Sequence, residues 1–215
     1  MTRLAVFDCD GTLVDGQADV CQAMGEAFAM ADMEAPDMNE VRRIVGLSLP
    51  VAIRRLVADV EDQVVSELVA NYKQAFFARR EAGRLNEPLY DGILPLLHRL
   101  HEDGWQLAVA TGKSDRGLFA CLEGHGIREM FVSLQTADRH PSKPHPAMLE
   151  AALFEAGASP AEAVMIGDTT FDIHMARDAN VKAIGVAWGY HTPAELTEAG
   201  AAAVAKDAAH LGEIL

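Results

Sequence analysis

Asp8 and Asp10 stand one residue apart at the end of the apolar run Leu4-Ala5-Val6-Phe7, and Gly11-Thr12 follow at once. Two carboxylates that close repel each other and coexist only beside a cation or with a shared proton. An aspartate that closes a buried strand can act as a nucleophile and form an aspartyl-phosphate. A second carboxylate two residues on points to the same side of an extended chain. There it can protonate a leaving oxygen and then deprotonate a water. Gly11 permits the tight turn and close backbone approach to a ligand. An Asx turn ahead of a helix suits Asp-Gly equally well.

Three further stretches have matching chemistry. Thr111-Gly112-Lys113-Ser114 follows Leu107-Ala108-Val109-Ala110; a hydroxyl and free N–H groups ahead of a helix suit an anion, and Thr111 or Ser114 suits the N-cap as well. Ser142-Lys143-Pro144-His145-Pro146 restricts the backbone around one ammonium, which can balance carboxylates or grip a phosphate or else face solvent. His140 and His145 flank it without partners at ligand spacing and read as surface or supporting groups. Gly167-Asp168-Thr169-Thr170-Phe171-Asp172 follows Ala163-Val164-Met165-Ile166. Asp168 and Asp172 are four residues apart, on one face of a starting helix. Carboxylate oxygens are the ligands of hard cations such as magnesium, and acidic residues also complement a helix N-terminus.

The elements that must position these loops read as alternating strand and helix. Strands are expected at Leu4–Phe7, Leu107–Ala110, Met130–Leu134, Ala163–Ile166, Ala183–Ala187 and Ala201–Ala205, and helices at Asp91–Glu102, Ser114–Glu123, Pro146–Ala156 and Phe171–Asp178. Such alternation implies a parallel sheet covered on both faces, with ligands at the carboxyl ends of its strands. All four loops then fall at the same ends, and one crevice gathers Asp8, Asp10, Thr111, Lys143, Asp168 and Asp172. A divalent metal and Lys143 together neutralise that cluster. Residues 17–85 offer helical periodicity and no convincing strand, for example Val64, Leu68, Val69, Tyr72 and Phe76. An inserted helical subdomain is the simplest account, with crossings near Asp15–Gln17 and Arg84–Tyr90.

The chain has 215 residues, long enough for one sizeable core or one domain with an insertion. Its net charge of -14 discourages nucleic-acid binding, and no apolar stretch has the length of a membrane helix. Cys9, Cys21 and Cys121 are odd in number and lack metal-like spacing, which fits a reduced, cytoplasmic setting.

The order Asp-Cys-Asp-Gly-Thr, Thr-Gly, Lys-Pro and Gly-Asp-Thr-Thr-Phe-Asp resembles the haloacid dehalogenase-like hydrolase superfamily, and the resemblance covers the whole chain. Within that superfamily the chain is similar to the helical-cap group of phosphoglycolate phosphatases and beta-phosphoglucomutases. The resemblance implies an α/β fold, a three-layer Rossmann-like parallel sheet from residues 1–15 and 86–215, with a small all-helical cap at 16–85. It implies Asp8 as nucleophile and Asp10 as general acid/base, whose carbonyl also reaches a magnesium ion. It makes Thr111 and Lys143 phosphate-holding groups, assisted by the amides near Cys9 and Gly112. Asp168 becomes a direct magnesium ligand and Asp172 a direct or water-bridged one. Gly16, Ser142 and Asn180 depart from common family residues without touching the chemistry.

The implied activity is magnesium-dependent hydrolysis of a small phosphorylated metabolite, of phosphoglycolate or sugar-phosphate type, by a monomer or homodimer. A sugar phosphomutase uses the same core, and a regulator without turnover stands further off because both Asp8 and Asp10 are kept. Dehalogenases dispense with much of the magnesium set, and no lysine precedes Lys73 to serve as the cap Schiff base of phosphonate-cleaving relatives. From Val41 to Ala58 the chain has Arg42, Arg43, Arg54 and Arg55 and no acidic residue, interrupted by Gly46-Leu47-Ser48-Leu49-Pro50. This stretch resembles the family's specificity loop. Arg54 or Arg43 is therefore expected to bind a second anionic group of the substrate, such as a carboxylate, although an exposed helix face fits the same residues.

Overall fold

The computed structural model describes residues 2–215. The strands are β1 (Arg3–Phe7), β2 (Trp105–Thr111), β3 (Phe131–Thr136), β4 (Ala163–Gly167), β5 (Lys182–Val186) and β6 (Ala203–Ala205). They form one sheet in the order β3-β2-β1-β4-β5-β6, and every pairing is parallel. After β1 the order runs outward through β2 and β3, then resumes on the other side of β1 with β4. The ends of β1 and β4 therefore flank the point where strand order reverses, the usual ligand crevice of such sheets.

Helices cover both faces, which is why the central strands β1 and β4 are almost wholly apolar rather than alternating with polar residues. One face packs Ala5, Phe7, Val109 and Ile166 against α5 (Ile93–Glu102), α6 (Asp115–Gly124) and α10 (Ala208–Ile214). The other packs Leu4, Val6, Ala108 and Met165 against α7 (Ala147–Ala156), α8 (Thr170–Asp178) and α9 (Pro193–Ala199). Phe7 is fully buried, and its truncation to alanine would cost about 3–5 kcal/mol.

Two helices, α9 and α10, add to those expected from the pattern. Helix α9 has its own signature: Thr192 caps it, Glu195 closes a capping box, Pro193 occupies its first turn and Gly200 ends it in the left-handed conformation. The strand at residues 131–136 begins one residue later and runs two residues further than the apolar pattern suggests, because Gln135 and Thr136 are buried polar positions.

Between β1 and β2 the chain also forms α1 (Gln17–Met30), α2 (Met38–Ile44), α3 (Leu49–Leu56) and α4 (Asp62–Glu81). They share an apolar cluster of Met24, Phe28, Val41, Ile53 and Leu68. A buried ion pair, Arg79 to Asp19 at 2.7 Å, ties α4 to α1. The outgoing and returning segments touch: the Asp15 N–H donates to the Pro88 carbonyl at 2.8 Å, and the Tyr90 N–H to the Leu13 carbonyl at 3.0 Å.

Candidate active site

Asp8 extends β1 by one residue, its N–H donating to the Ile166 carbonyl at 2.9 Å. The chain then turns on the Cys9 carbonyl, which accepts from the Leu13 and Val14 N–H groups at 2.8 and 3.1 Å. Gly11 makes this turn at φ +82, and a Cβ there would stand 2.2 Å from Oδ2 of Asp168. Only glycine allows the first loop to close against the fourth.

The register of the sheet sets the other loops at the same level. Phe7 pairs with Val109 on one side and Ile166 on the other, so Thr111 lies level with Cys9 and Asp168 one step beyond Asp8. Thr111 is buried, its Oγ1 accepting from the Lys113 N–H at 3.2 Å, while Ser114 is the N-cap of α6. Lys143, from the loop after β3, is fully covered. Its Nζ donates to Asp172 Oδ1 at 2.7 Å and stands 2.9 Å from Asp8 Oδ1. His145 is exposed and accepts from the Ala147 N–H, and His140 contacts Gln135, so neither reaches the site.

Asp8, Asp168 and Asp172 are buried and offer one oxygen each within 4.8 Å of one another. All of their oxygens but one have protein partners. Asp168 accepts from the Thr12 hydroxyl at 3.0 Å and from the Tyr190 N–H at 2.8 Å. Asp172 Oδ2 accepts from the N–H and hydroxyl of Thr169, which caps α8. This carboxylate is thus both a helix cap and a member of the cluster. Asp8 Oδ1 accepts from the Cys9 N–H at 2.6 Å, so that amide holds the carboxylate of Asp8 itself. Asp8 Oδ2 is buried and has no partner.

Burial raises the Asp8 carboxyl to about 7, opposed by Lys143 and assisted by Asp172 and Asp10. Asp168 is pushed well above the usual carboxylate range by burial and by Asp8 and Asp172. Burial works against the charge of Lys143, but Asp172 and Asp8 outweigh it and hold the ammonium protonated. With all three carboxylates ionised against one ammonium, the excess charge is one that a divalent cation cancels. An all-oxygen donor set around an orphaned carboxylate oxygen suits a hard ion such as magnesium. The side chain of Asp10 lies outside this three-carboxylate group.

Asp10 faces the other way. Its Oδ1 is 3.0 Å from Nζ of Lys113, an ion-pair contact without hydrogen-bond alignment, and Lys113 donates to Glu87 at 2.6 Å. Arg80 lies 3.2 Å from the second oxygen of Glu87. Burial raises the Asp10 carboxyl, with Lys113 opposing and Glu87 assisting. Lys113 and Glu87 were not legible as site residues. Lys113 had a signal, being the cation directly after Thr111-Gly112, whereas Glu87 is 77 positions from Asp10 and meets it only through the returning chain.

The loop Gly46-Leu47-Ser48 closes over this crevice. A Cβ on Gly46 would lie 3.3 Å from Thr169 Oγ1 and 3.8 Å from Asp8 Oδ2, and one on Gly112 would lie 2.5 Å from the Leu47 carbonyl. The Ser48 N–H donates to Ser142 Oγ at 2.8 Å, and His191 Nε2 lies 3.2 Å from the Arg43 carbonyl. His191 Nδ1 accepts from the Thr170 N–H, so Nε2 holds the proton and donates.

The loop's flanking arginines, expected to bind an anionic group, have protein partners of their own. Arg43 is half-exposed and forms a two-pronged pair with Glu195 at 2.6 and 3.0 Å. Arg54 bonds the Val60 carbonyl and Asp62. Neither lines the cavity of about 420 Å³ beside Asp10; the cations that do are Lys73, Arg80, Lys113 and Arg116. Arg43 and Arg54 each had an acidic partner nearby in the fold, and that pairing turns them outward.

The family model described as haloacid dehalogenase-like hydrolase matches residues 5–186. A probable phosphatase IndB of Dickeya dadantii is 38% identical over 202 residues, covering 93% of this chain and 87% of that protein. A phosphoglycolate phosphatase of Agrobacterium fabrum is 30% identical over 192 residues, covering 88% and 82%. Among solved structures, a "predicted phosphatase" from Clostridium acetobutylicum superposes with a TM-score of 0.89 over 100% of this chain and 98% of that one, at 24% identity, a likeness of fold.

Proposed function

The chain belongs to the haloacid dehalogenase-like hydrolase family and is a phosphatase of it, and we propose that it hydrolyses a small phosphorylated metabolite with magnesium, through an aspartyl-phosphate on Asp8. The observation that supports this most is the buried, unpartnered Oδ2 of Asp8 beside Asp168, Asp172 and Lys143.

Asp8 attacks phosphorus through Oδ1, which the Cys9 amide and Lys143 orient, and its unpartnered Oδ2 is left to the metal site. Lys143 disperses charge on the transferring group, with Thr111 and the Gly112 amide contributing donors, since such transfer depends chiefly on positioning and charge stabilisation. Asp10 gives its proton to the departing alkoxide, then takes one from the water that opens the aspartyl-phosphate. Its raised pKa favours the protonated form that the first step needs. Asp8, Asp168 and Asp172, with the Asp10 carbonyl, would hold magnesium, which supplies Lewis-acid neutralisation of the phosphoryl oxygens. Helices α1 to α4, within residues 16–85, act as a cap that excludes water when closed.

Relatives named phosphatase and phosphoglycolate phosphatase support a small phosphorylated metabolite as the substrate. The test is a panel of phosphate esters with and without magnesium, read both by free phosphate and by isomerised sugar phosphate. Magnesium-dependent free phosphate is the expected product. Its absence for every ester would reject the proposal, and isomerised sugar would transfer the chain to the mutases.

A further inference from the structure

The cavity beside the site has a chemical character of its own. It measures about 420 Å³ and reaches Asp10, Gly112 and Lys113 at its floor, whereas Asp8, Asp168 and Asp172 are absent from its lining. It therefore adjoins the proton donor rather than the nucleophile, on the side where a departing alcohol would sit. This placement rests on the phosphatase reading above.

Its walls come from the helices between β1 and β2: Met24 of α1, Val41 and Ile44 of α2, Leu49 of α3, and Tyr72 and Phe76 of α4. The Tyr72 and Phe76 rings stack with centroids 5.7 Å apart and planes 21° from parallel. Lys73 and Arg116, also on the lining, are exposed, so their charge lies at the mouth; inside, Lys113 and Arg80 stand 5.7 and 5.8 Å from the Phe76 ring centroid, and the remaining walls are apolar. Lys113 contacts Asp10 and Glu87, and Arg80 contacts Glu87, so both cations already have carboxylate partners. A volume in the range of roughly 300–1,000 Å³ suits ligands well above two carbons, and water left against apolar walls is unfavourable.

We propose that the preferred leaving group is an alcohol bearing an apolar ring, seated against Phe76, Tyr72 and Met24, and that Phe76 is a specificity-determining residue. A two-carbon acid presents nothing to these walls and would leave most of the cavity wet.

The test compares 2-phenylethyl phosphate with ethyl phosphate and 2-phosphoglycolate, with magnesium, on the full chain. The first two share a primary alkoxide leaving group and differ by the ring. The expected kcat/KM is roughly tenfold or more in favour of the ring-bearing ester, as for a well-fitted apolar group in a preformed pocket. Phe76→Ala and the milder Phe76→Leu should move the ratio of the two esters toward one, alanine further than leucine. Equal or better turnover of ethyl phosphate or 2-phosphoglycolate, or a ratio untouched in both variants, overturns the proposal. Calorimetric binding of 2-phenylethylphosphonate and ethylphosphonate is measured alongside. Tighter binding of the ring-bearing phosphonate by a protein that hydrolyses no ester would reject the catalytic reading and keep this one. Equal binding, or none, would reject this one.

Discussion

Nζ of Lys113 lies 3.0 Å from Oδ1 of Asp10, with both side chains about nine-tenths covered and Glu87 on the other side of the ammonium at 2.6 Å. One lysine thus separates two buried carboxylates, one of them the proposed proton donor. Burial acts against the charge on Lys113, yet Asp10 and Glu87 raise its pKa well above the ordinary value. Charges so placed are held by one another rather than by water.

Removing that ammonium leaves Asp10 without its cation and Glu87 with Arg80 alone. Lys113→Met is expected to lose about 3–5 kcal/mol in urea unfolding, and adding Glu87→Gln should restore part of it because the two changes are coupled. Strictly additive losses would show that Lys113 does not mediate between them.

Asp8→Asn should fold and lose magnesium-dependent phosphate release by about 10³-fold or more. It should also shrink the rise in melting temperature that magnesium gives, since it replaces the orphaned carboxylate oxygen with an amide. An unchanged magnesium shift would remove Asp8 from the metal site even if activity disappeared.

Proton and metal compete for the same carboxylates. Asp8 is raised from 3.8 to about 7, and Asp168 is raised as well, both first by burial. A raised carboxyl binds protons in the folded state that the unfolded chain releases, so its stabilisation is present at low pH and lost as pH rises toward 7. The metal-free protein should melt at a lower temperature at pH 8 than at pH 5, these groups considered, and magnesium should raise the melting temperature more at pH 8. Each kcal/mol moves a chain of this size by about 2–4 °C, within calorimetric reach. An equal magnesium effect at both pH values would contradict the shared site.

Arg43→Ala and Arg54→Ala should leave the preference between carboxylated and neutral esters unchanged, because their partners are Glu195 and Asp62. Both pairs are substantially exposed, and each loss should cost no more than about 1 kcal/mol. A selective loss of the carboxylated ester in either variant would return that arginine to the substrate.

The parallel sheet was legible because each central strand is a short apolar run bounded by glycine and charged residues, and because each run ends on a residue with a reactive or ligating side chain. Asp8, Lys143, Asp168 and Asp172 meet for the same reason: parallel strands put every outgoing loop at one end of the sheet, whatever its distance in sequence. The helix α9 was legible in principle from Thr192, Pro193 and Glu195, but its single buried apolar residue, Leu196, gives no periodicity to detect. Arg43 shows what sequence could not supply. A basic helix turn next to a loop suggests anion binding until Glu195, 152 residues away, takes both guanidinium nitrogens. Glu87 was hidden in the same way, its meaning supplied only when the chain returned beside Asp10.

The complete burial of Lys143 divides the electrostatics of this protein into two regimes. A net charge of -14 repels an approaching phosphate ester over long range, and ordinary salt screens that repulsion beyond about 8–10 Å. The covered ammonium is shielded from mobile ions and keeps its pull at every ionic strength. Salt accordingly removes the barrier to arrival and leaves the grip intact, so an acidic protein of this kind captures its anionic substrate faster in a salty solution than in a dilute one.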